Sequence, residues 1–497
     1  SELMQPLYKR LGLSTASVID GMDTGQRQQA YQADIVHTTN QQIAFDYLRD
    51  RIEMGTDTGP LRFEWRQFQR QRPGARPLLL RGLCFALIDE ADSVLIDEAR
   101  TPLIISQTIP NEESDHTYSD ALYLASVLFI DQDFKMDKKT RRIELTLDGE
   151  NKLQEMILNL PDVWRQKRKR ENLVIQALNA IHFYHKDKHY VVEDDKVMII
   201  DESTGRLMPD RAWEQGLHQM IEAKEGCVIS QRREPLARIS YQRFFSRYLK
   251  LGGASGTLHE VRKELQNVYG LDVVKVPTHH KSKRKLLAEK VYRDETLKKQ
   301  AVIERIRELY AQKRPLLVGT CSVAESEQVS AWMKEQDIPH QVLNAKQDKH
   351  EADIIARAGQ PGTITVATNM AGRGTDIALG AGVAEQGGLH VLALSRNESR
   401  RVDRQLYGRC ARQGEPGSAE AILSLEDPAL EQFYSSAMLK LVAKFAPGKR
   451  PVLSWLSRPL LRRPQQSHER EQRRTRKLLM KEDRRLQRIL AFSGRFE

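Results

Sequence analysis

Four apolar residues, Phe85-Ala86-Leu87-Ile88, stop abruptly at Asp89-Glu90. This pattern predicts a buried parallel strand with two carboxylates at its C-terminal tip. In sheets of that kind, ligands bind beyond the carboxyl ends of the strands. A carboxylate there can hold Mg²⁺ on a nucleotide while its neighbour orients or deprotonates an attacking water. Taken alone, the same residues also describe an ordinary strand end with solvated acids.

The later half repeats strand and helix at short intervals. Residues 298–310 read as a helix, 315–320 as a buried strand, 323–329 as a helix, 340–346 as a strand, and 364–377 as a strand running into a glycine-rich loop. Such alternation predicts a doubly wound parallel sheet. The stretch from about residue 107 to 230 is different. Residues 143–147 alternate like a half-buried strand, and 189–200 read as a hairpin turned at Asp194-Asp195. Beyond residue 425 the chain is helical and basic. A proline-punctuated linker over 458–464 leads to a cationic helix over 467–490, with Leu479, Leu486, Ile489 and Leu490 as its apolar stripe.

Composition narrows the class. At 497 residues the chain exceeds a single core, and roughly three or four domains are expected. Mean hydropathy is −0.56, and no apolar run reaches the ~20 residues of a membrane span. No secretory leader is read at the start. Cys84, Cys227, Cys321 and Cys410 lack paired spacing, so neither zinc nor disulfides are expected. A net charge of +11 favours anionic partners, lipid or nucleic acid, without choosing between them.

Two further stretches carry chemistry. In Gly372-Arg373-Gly374-Thr375-Asp376, the glycines permit close backbone approach to a phosphate or ribose, and Asp376 can accept from a hydroxyl. Arg409 and Arg412, three apart in Gln405-Leu406-Tyr407-Gly408-Arg409-Cys410-Ala411-Arg412, share one helical face. Aimed at a γ-phosphate, they would stabilise transition-state charge; otherwise they form a basic, solvated helix. No G-x-x-x-x-G-K-[ST] loop occurs in the chain, and Gly448-Lys449 lacks the rest of that pattern.

The run from Phe85 to Ser106, with its literal Asp89-Glu90-Ala91-Asp92 and the following Asp-Ser-Val-Leu-Ile-Asp-Glu-Ala-Arg-Thr-Pro-Leu-Ile-Ile-Ser, resembles the SecA preprotein-translocase ATPases. Residues 40–50, 216–226, 251–257 and 368–377 resemble further elements of that family, with Thr38 and Ala44 standing where the family has glycine, and Cys410 and Ala411 where it has Ser and Gly. Members of that family carry the phosphate loop upstream of where this chain begins, so the chain is expected to be a piece of a longer protein, the alternative being descent from one that lost the loop. The two-helix finger and zinc tail are likewise expected beyond Glu497.

The resemblance implies an α/β protein: two RecA-like parallel-sheet folds, an inserted α+β preprotein cross-linking domain and a C-terminal helical segment. The expected divisions are 1–108, 109–230, 231–275, 276–430 and 431–497. It implies ATP and Mg²⁺, with Asp89 holding the metal through water, Glu90 activating the hydrolytic water, and Arg409 and Arg412 on the phosphates. Gly372, Arg373, Gly374, Asp376 and Gln405 would bind nucleotide, and Ser255-Gly256-Thr257 would couple nucleotide state to domain movement. An apolar strand closing on Asp201-Glu202 lacks any attendant phosphate motif. The resemblance places Asp201, Glu202, Gly205 and Arg206 in a clamp for unfolded preprotein, which can pair backbone edges with an extended chain. Implied partners are preprotein and a SecYEG-like channel, at the inner face of the cell membrane. Anionic lipid and a homodimer stay open, and nucleic acid is not favoured. Two other classes remain: a DEAD-box nucleic-acid helicase, and a SecA-like binding module that does not hydrolyse ATP.

Overall fold

The computed structural model describes every residue except 1–3, 56–64, 66–77, 110–114, 138–141, 158–159, 187–188, 194, 201–206, 209–211, 214–215, 344–350, 369–374, 447, 449 and 493–497. The chain divides into two units, Ser1–Ile105 with Leu236–Glu497, and Ser106–Pro235.

Within the first unit, the later half forms the larger sheet. Strands run in the order Lys283–Leu286, Pro416–Ser424, Leu389–Ala393, Leu316–Thr320, Ile364–Thr368 and Gln341–Leu343, with Lys290–Tyr292 also beside Pro416–Ser424. Every pairing is parallel. Both faces are covered, which is why Leu316–Thr320 and Leu389–Ala393 are buried at each position and read as unbroken apolar runs. Leu316 and Val318 join one core with Val302, Ile306 and Met333 of the helices Glu295–Ala311 and Val323–Lys334. Leu317 joins the opposite core with Val391 and Leu406. The strand expected over 340–346 is described only as Gln341–Leu343.

The earlier half supplies two parallel pairs, Thr15–Val18 with Ile35–Thr38 and Phe85–Ile88 with Lys250–Gly253. The predicted Phe85–Ile88 strand is parallel, but the expectation that it is buried needs correction. Phe85 is 62% and Leu87 74% exposed, while Ile88 is buried with Ala91, Leu95 and Phe244. Side chains alternate across a strand, and among the described residues only one face of this pair is covered. Its partner ends on Gly253 because a Cβ there would meet Ala91 Cβ at 2.7 Å and the Ile88 carbonyl at 2.9 Å. The helix Asn40–Met54 starts on a Thr39 cap and buries Asp46, which accepts from Arg27, Arg49 and Tyr31. Neither Thr38 nor Ala44 takes a positive φ, so the backbone asks for no glycine at either place.

The proline-punctuated linker expected over 458–464 is also corrected. Ser454–Phe492 is one helix with Pro459 and Pro464 inside it. Pro464 has no N–H for the carbonyl four residues earlier. That carbonyl, of Leu460, instead accepts from Tyr434 Oη at 3.3 Å. Leu460 and Leu461 are buried beside it, so packing holds the helix through the break. Farther along, Leu479 is buried but Leu486 is exposed. Polar anchors fix this helix instead. Arg476 holds Glu264 at 2.7 and 2.9 Å, and Asp483 accepts from Ser240 N at 3.0 Å.

The second unit is α+β. Phe134–Asp137 pairs antiparallel with Arg142–Leu145, and Tyr190–Glu193 with Lys196–Ile200, which in turn pairs with Leu207–Met208. The strand expected over 143–147 stops at Leu145, because Thr146 caps the helix Leu147–Met156 by accepting from Gly149 N. Helices Asp115–Ser126, Lys167–His182 and Leu217–Glu225 close over a core of Tyr118, Trp164, Leu178, Tyr190 and Met220.

Candidate nucleotide site

The chain turns sharply where the strand Phe85–Ile88 ends. Asp89 is exposed, and its Oδ1 accepts from Glu90 N at 2.9 Å. Glu90 stands at φ +47, a left-handed conformation costly for a residue with a Cβ. Strain of this kind persists only where the surroundings over-determine it, and it concentrates at functional positions.

Asp92, the last letter of the Asp-Glu-Ala-Asp run, is fully buried and is the hub of the site. Ser255 Oγ donates to Oδ1 at 2.7 Å, and Thr257 Oγ1 to Oδ2 at 2.5 Å. Two further donors come from the later fold. The helix Arg400–Tyr407, capped by Ser399, presents Arg401 and Gln405 on one face, four residues apart. Gln405 Nε2 donates to Asp92 Oδ2 at 2.5 Å, and Arg401 bonds both Asp92 and Asp97. Burial alone would raise the Asp92 carboxyl, but Arg401 and the two hydroxyls outweigh it and hold it below the usual range. Burial alone would likewise lower Arg401; Asp97 and Asp92 together push it up.

Asp97 reaches the same guanidinium because Ser93–Asp97 is a widened helical turn. Its hydrogen bonds run i→i+5 rather than i→i+4, which brings Asp97 round to the side of Asp92 so that one guanidinium bonds both. Sequence reasoning missed Arg401 and Asp97. The available signal was the pair Arg401 and Gln405 at helical spacing, facing a chain segment with acids five apart.

A cleft of about 730 Å³ opens beside this hub. Glu90, Ser255 and Thr257 line it from the earlier fold, and Gln405, Arg409 and Arg412 from the later one. Arg409 and Arg412 do not share a helical face as expected, because the helix stops at Tyr407 and Ala411 between them is left-handed. They meet instead on the Thr375 carbonyl, donating to it at 3.1 and 3.3 Å, and Arg412 pairs with Asp376 at 2.9 Å. Five of the expected catalytic and nucleotide-binding residues therefore gather here, Glu90, Gln405, Arg409 and Arg412 in the lining with Asp376 held by Arg412, and the Ser255-Gly256-Thr257 triplet lines the same cleft. Gly372, Arg373 and Gly374 lie outside the described residues, as do Asp201, Glu202, Gly205 and Arg206 of the expected clamp.

Among the described residues the lining carries four arginines (Arg284, Arg404, Arg409 and Arg412) against one carboxylate, Glu90. That excess of positive charge, in a volume suited to a small ligand, fits a polyanion such as a nucleoside triphosphate. Among the described residues no three His, Cys, Asp or Glu cluster as a metal site. A magnesium carried in on phosphates needs only one or two protein carboxylates.

Residues 1–266 match the SecA DEAD-like domain, and residues 281–383 and 380–447 the SecA P-loop domain. The chain belongs to the SecA family. It is 44% identical over 497 residues to a protein translocase subunit SecA 2 of Nitrosospira multiformis, covering all of this chain and 74% of that protein. It is 46% identical over 499 residues to a SecA 2 of Bordetella avium, covering 99% and 74%. Against a protein translocase subunit SecA of Syntrophobacter fumaroxidans it is 43% identical over 446 residues, covering 89% of this chain and 50% of that one. The two SecA matches divide the cleft between them: Glu90, Asp92, Ser255 and Thr257 fall in the first, and Arg401, Gln405, Arg409 and Arg412 in the second.

Proposed function

We propose that this chain is the ATPase core of a protein-export motor, moving unfolded preproteins through a SecYEG-like channel. The observation that carries the reading is the convergence on Asp92. One buried carboxylate after the first fold's strand is held at once by hydroxyls of its own fold and by Arg401 and Gln405 of the other. Any change that spreads or tightens the cleft must alter those bonds. Occupancy of the cleft and the separation of the two folds are therefore linked.

Asp89, exposed at the strand tip, would hold Mg²⁺ through water, and Glu90 beside it would take the proton of the attacking water. Bound Mg²⁺ would neutralise charge on the β- and γ-phosphates. Arg409 and Arg412 would leave the Thr375 carbonyl for phosphate oxygens, which are stronger acceptors for a guanidinium. Gly372, Arg373, Gly374 and Asp376 would line the nucleotide from the second fold. Residues 109–230, with Asp201, Glu202, Gly205 and Arg206, would grip the unfolded substrate. No helix among the described residues is long and apolar enough to cross a membrane, so work at the inner face of the cell membrane would be peripheral.

ATP turnover by the full-length protein decides the reading. Unfolded preprotein together with channel-containing vesicles should stimulate it several-fold, and RNA should not. Stimulation by RNA alone would instead make the chain a helicase, and the absence of turnover under every condition would make it a binding module.

A further inference from the structure

The helix Arg400–Tyr407 brings Arg401 and Gln405 to Asp92 on one face. Asp403 stands midway between those two in sequence, so at about 100° per residue it points the opposite way. It is buried. Its Oδ1 accepts from Asn397 N and Nδ2 at 3.1 and 2.9 Å, and its Oδ2 from Arg396 Nη1 at 2.7 Å. Those donors come from the loop just before the helix. Another comes from far along the chain, where Gln465 Nε2 donates to Asp403 Oδ2 at 2.8 Å.

Gln465 is itself buried, on the long helix Ser454–Phe492. Its two amide hydrogens are divided between Asp403 and the Asn397 carbonyl, the latter at 2.9 Å. One side chain thus fixes the loop and the helix that follows it as a single piece. A turn farther on, Glu469 Oε1 accepts from Arg400 N at 2.9 Å. An N–H in the first turn of a helix has no partner within that helix, and a carboxylate is favoured at this positive end. Positions 465 and 469, four apart, share a face of the long helix.

A buried carboxylate must have its oxygens satisfied, and Asn397 and Arg396 already reach both oxygens of Asp403 from nearby. What Gln465 and Glu469 add is position. Through Asp403, Gln465 resists rotation of the helix Arg400–Tyr407 about its axis. By gripping the terminal N–H, Glu469 resists sliding along that axis. The far face then presents Arg401 and Gln405 to Asp92 in the rotation those two contacts set. The turn that carries Arg409 and Arg412 follows the same helix directly.

We propose that Gln465 and Glu469 are positioning residues for the nucleotide cleft. Through Asp403 and the Arg400 N–H they aim Arg401 and Gln405 at Asp92, and beyond them Arg409 and Arg412 at a bound phosphate. The second half rests on the reading of the cleft as an ATP site; the first half does not.

Two measurements on the full-length protein test this. One needs no nucleotide: urea midpoints of the parent, Gln405→Ala, Gln465→Leu and the double variant. If Gln465 aims Gln405, the bond to Asp92 is already weakened in Gln465→Leu. Gln405→Ala should then lower the midpoint there by no more than half as much as it does in the parent. Equal lowering in the two backgrounds overturns the proposal. Should Gln465→Leu fail to fold, the same cycle on Glu469→Ala, at a half-buried position, decides. The other measurement is ATP hydrolysis in a single turnover. Gln465→Leu and Glu469→Ala should slow it roughly tenfold or more while ATP affinity stays within about threefold, because aim matters most to transition-state charge. Glu469→Gln keeps an acceptor for Arg400 N and should recover most of the rate. Lower stability with a parental rate is what a purely structural role would give, and it overturns the proposal. A parent that turns over no ATP contradicts the ATPase reading alone, and the urea cycle still decides the positioning.

Discussion

Gln405 Nε2 lies 2.5 Å from Asp92 Oδ2, across the seam between two folds more than three hundred residues apart in the chain. Together with Arg401 it turns Asp92 from a local capping acid into the point where the folds are tied. Removing Arg401 leaves that carboxylate buried with its charge under-compensated, a loss typically worth about 3–5 kcal/mol. Arg401→Ala should lower the urea midpoint accordingly. Gln405→Ala should cost about 1–2 kcal/mol, since the acceptor keeps its other donors. If the two variants destabilise equally, Asp92 is not held chiefly by charge.

Glu90 at φ +47 and Ala411 at φ +55 carry left-handed backbone beside the cleft. Glycine adopts that conformation without steric cost, although it loses more freedom on folding. Ala411→Gly should raise stability by about 0.5–1 kcal/mol, read as a higher melting temperature. Glu90→Gly should stabilise similarly while abolishing ATP turnover. A loss of stability in both variants would mean the surroundings do not impose these angles.

The second fold contains a buried polar chain in which His390 bonds Ser418 at 2.7 Å and Glu420 at 3.0 Å, with Arg305 also on Glu420. Burial pushes His390 below its ordinary value, outweighing the pull of Glu420. Burial would raise Glu420, but His390 and Arg305 prevail and bring it to about 2 from 4.5. Both shifts mean that the unfolded chain binds more protons, so both contributions to stability shrink as pH falls. The histidine contribution fades below its ordinary pKa of about 6.5. The glutamate contribution is complete above 4.5 and fades toward about 2. Urea midpoints of the parent should therefore drop between pH 7 and 5 more steeply than those of His390→Gln. Parallel curves would contradict this.

Tyr434 Oη fills the carbonyl that Pro464 cannot satisfy. Tyr434→Phe should cost about 1–2 kcal/mol, and the double variant with Pro464→Ala should recover part of it, since an N–H then returns to the helix. Urea denaturation of the three proteins measures the coupling.

Much of this architecture could be read from the amino-acid pattern. Leu316–Thr320 and Leu389–Ala393 are covered on both faces, and such strands write themselves as unbroken apolar runs. Phe85–Ile88 looks the same in sequence yet has one open face, because periodicity over four residues cannot separate a strand covered twice from one covered once. Prolines 459 and 464 read as breaks, since nothing local announces the hydroxyl of Tyr434 thirty residues earlier. In the cleft, Glu90, Arg409 and Arg412 were visible as motif letters. Arg401 was not, because its role depends on the widened turn that swings Asp97 toward Asp92.

The central claim is that acids of the first fold and guanidiniums of the second serve one nucleotide. Single-turnover hydrolysis of ATP by Glu90→Gln, beside a measurement of ATP binding by the same variant, tests it most directly. The account predicts nucleotide affinity within a few-fold of the parent and a hydrolysis rate reduced by about 10²–10⁴. Hydrolysis at the parental rate would contradict it.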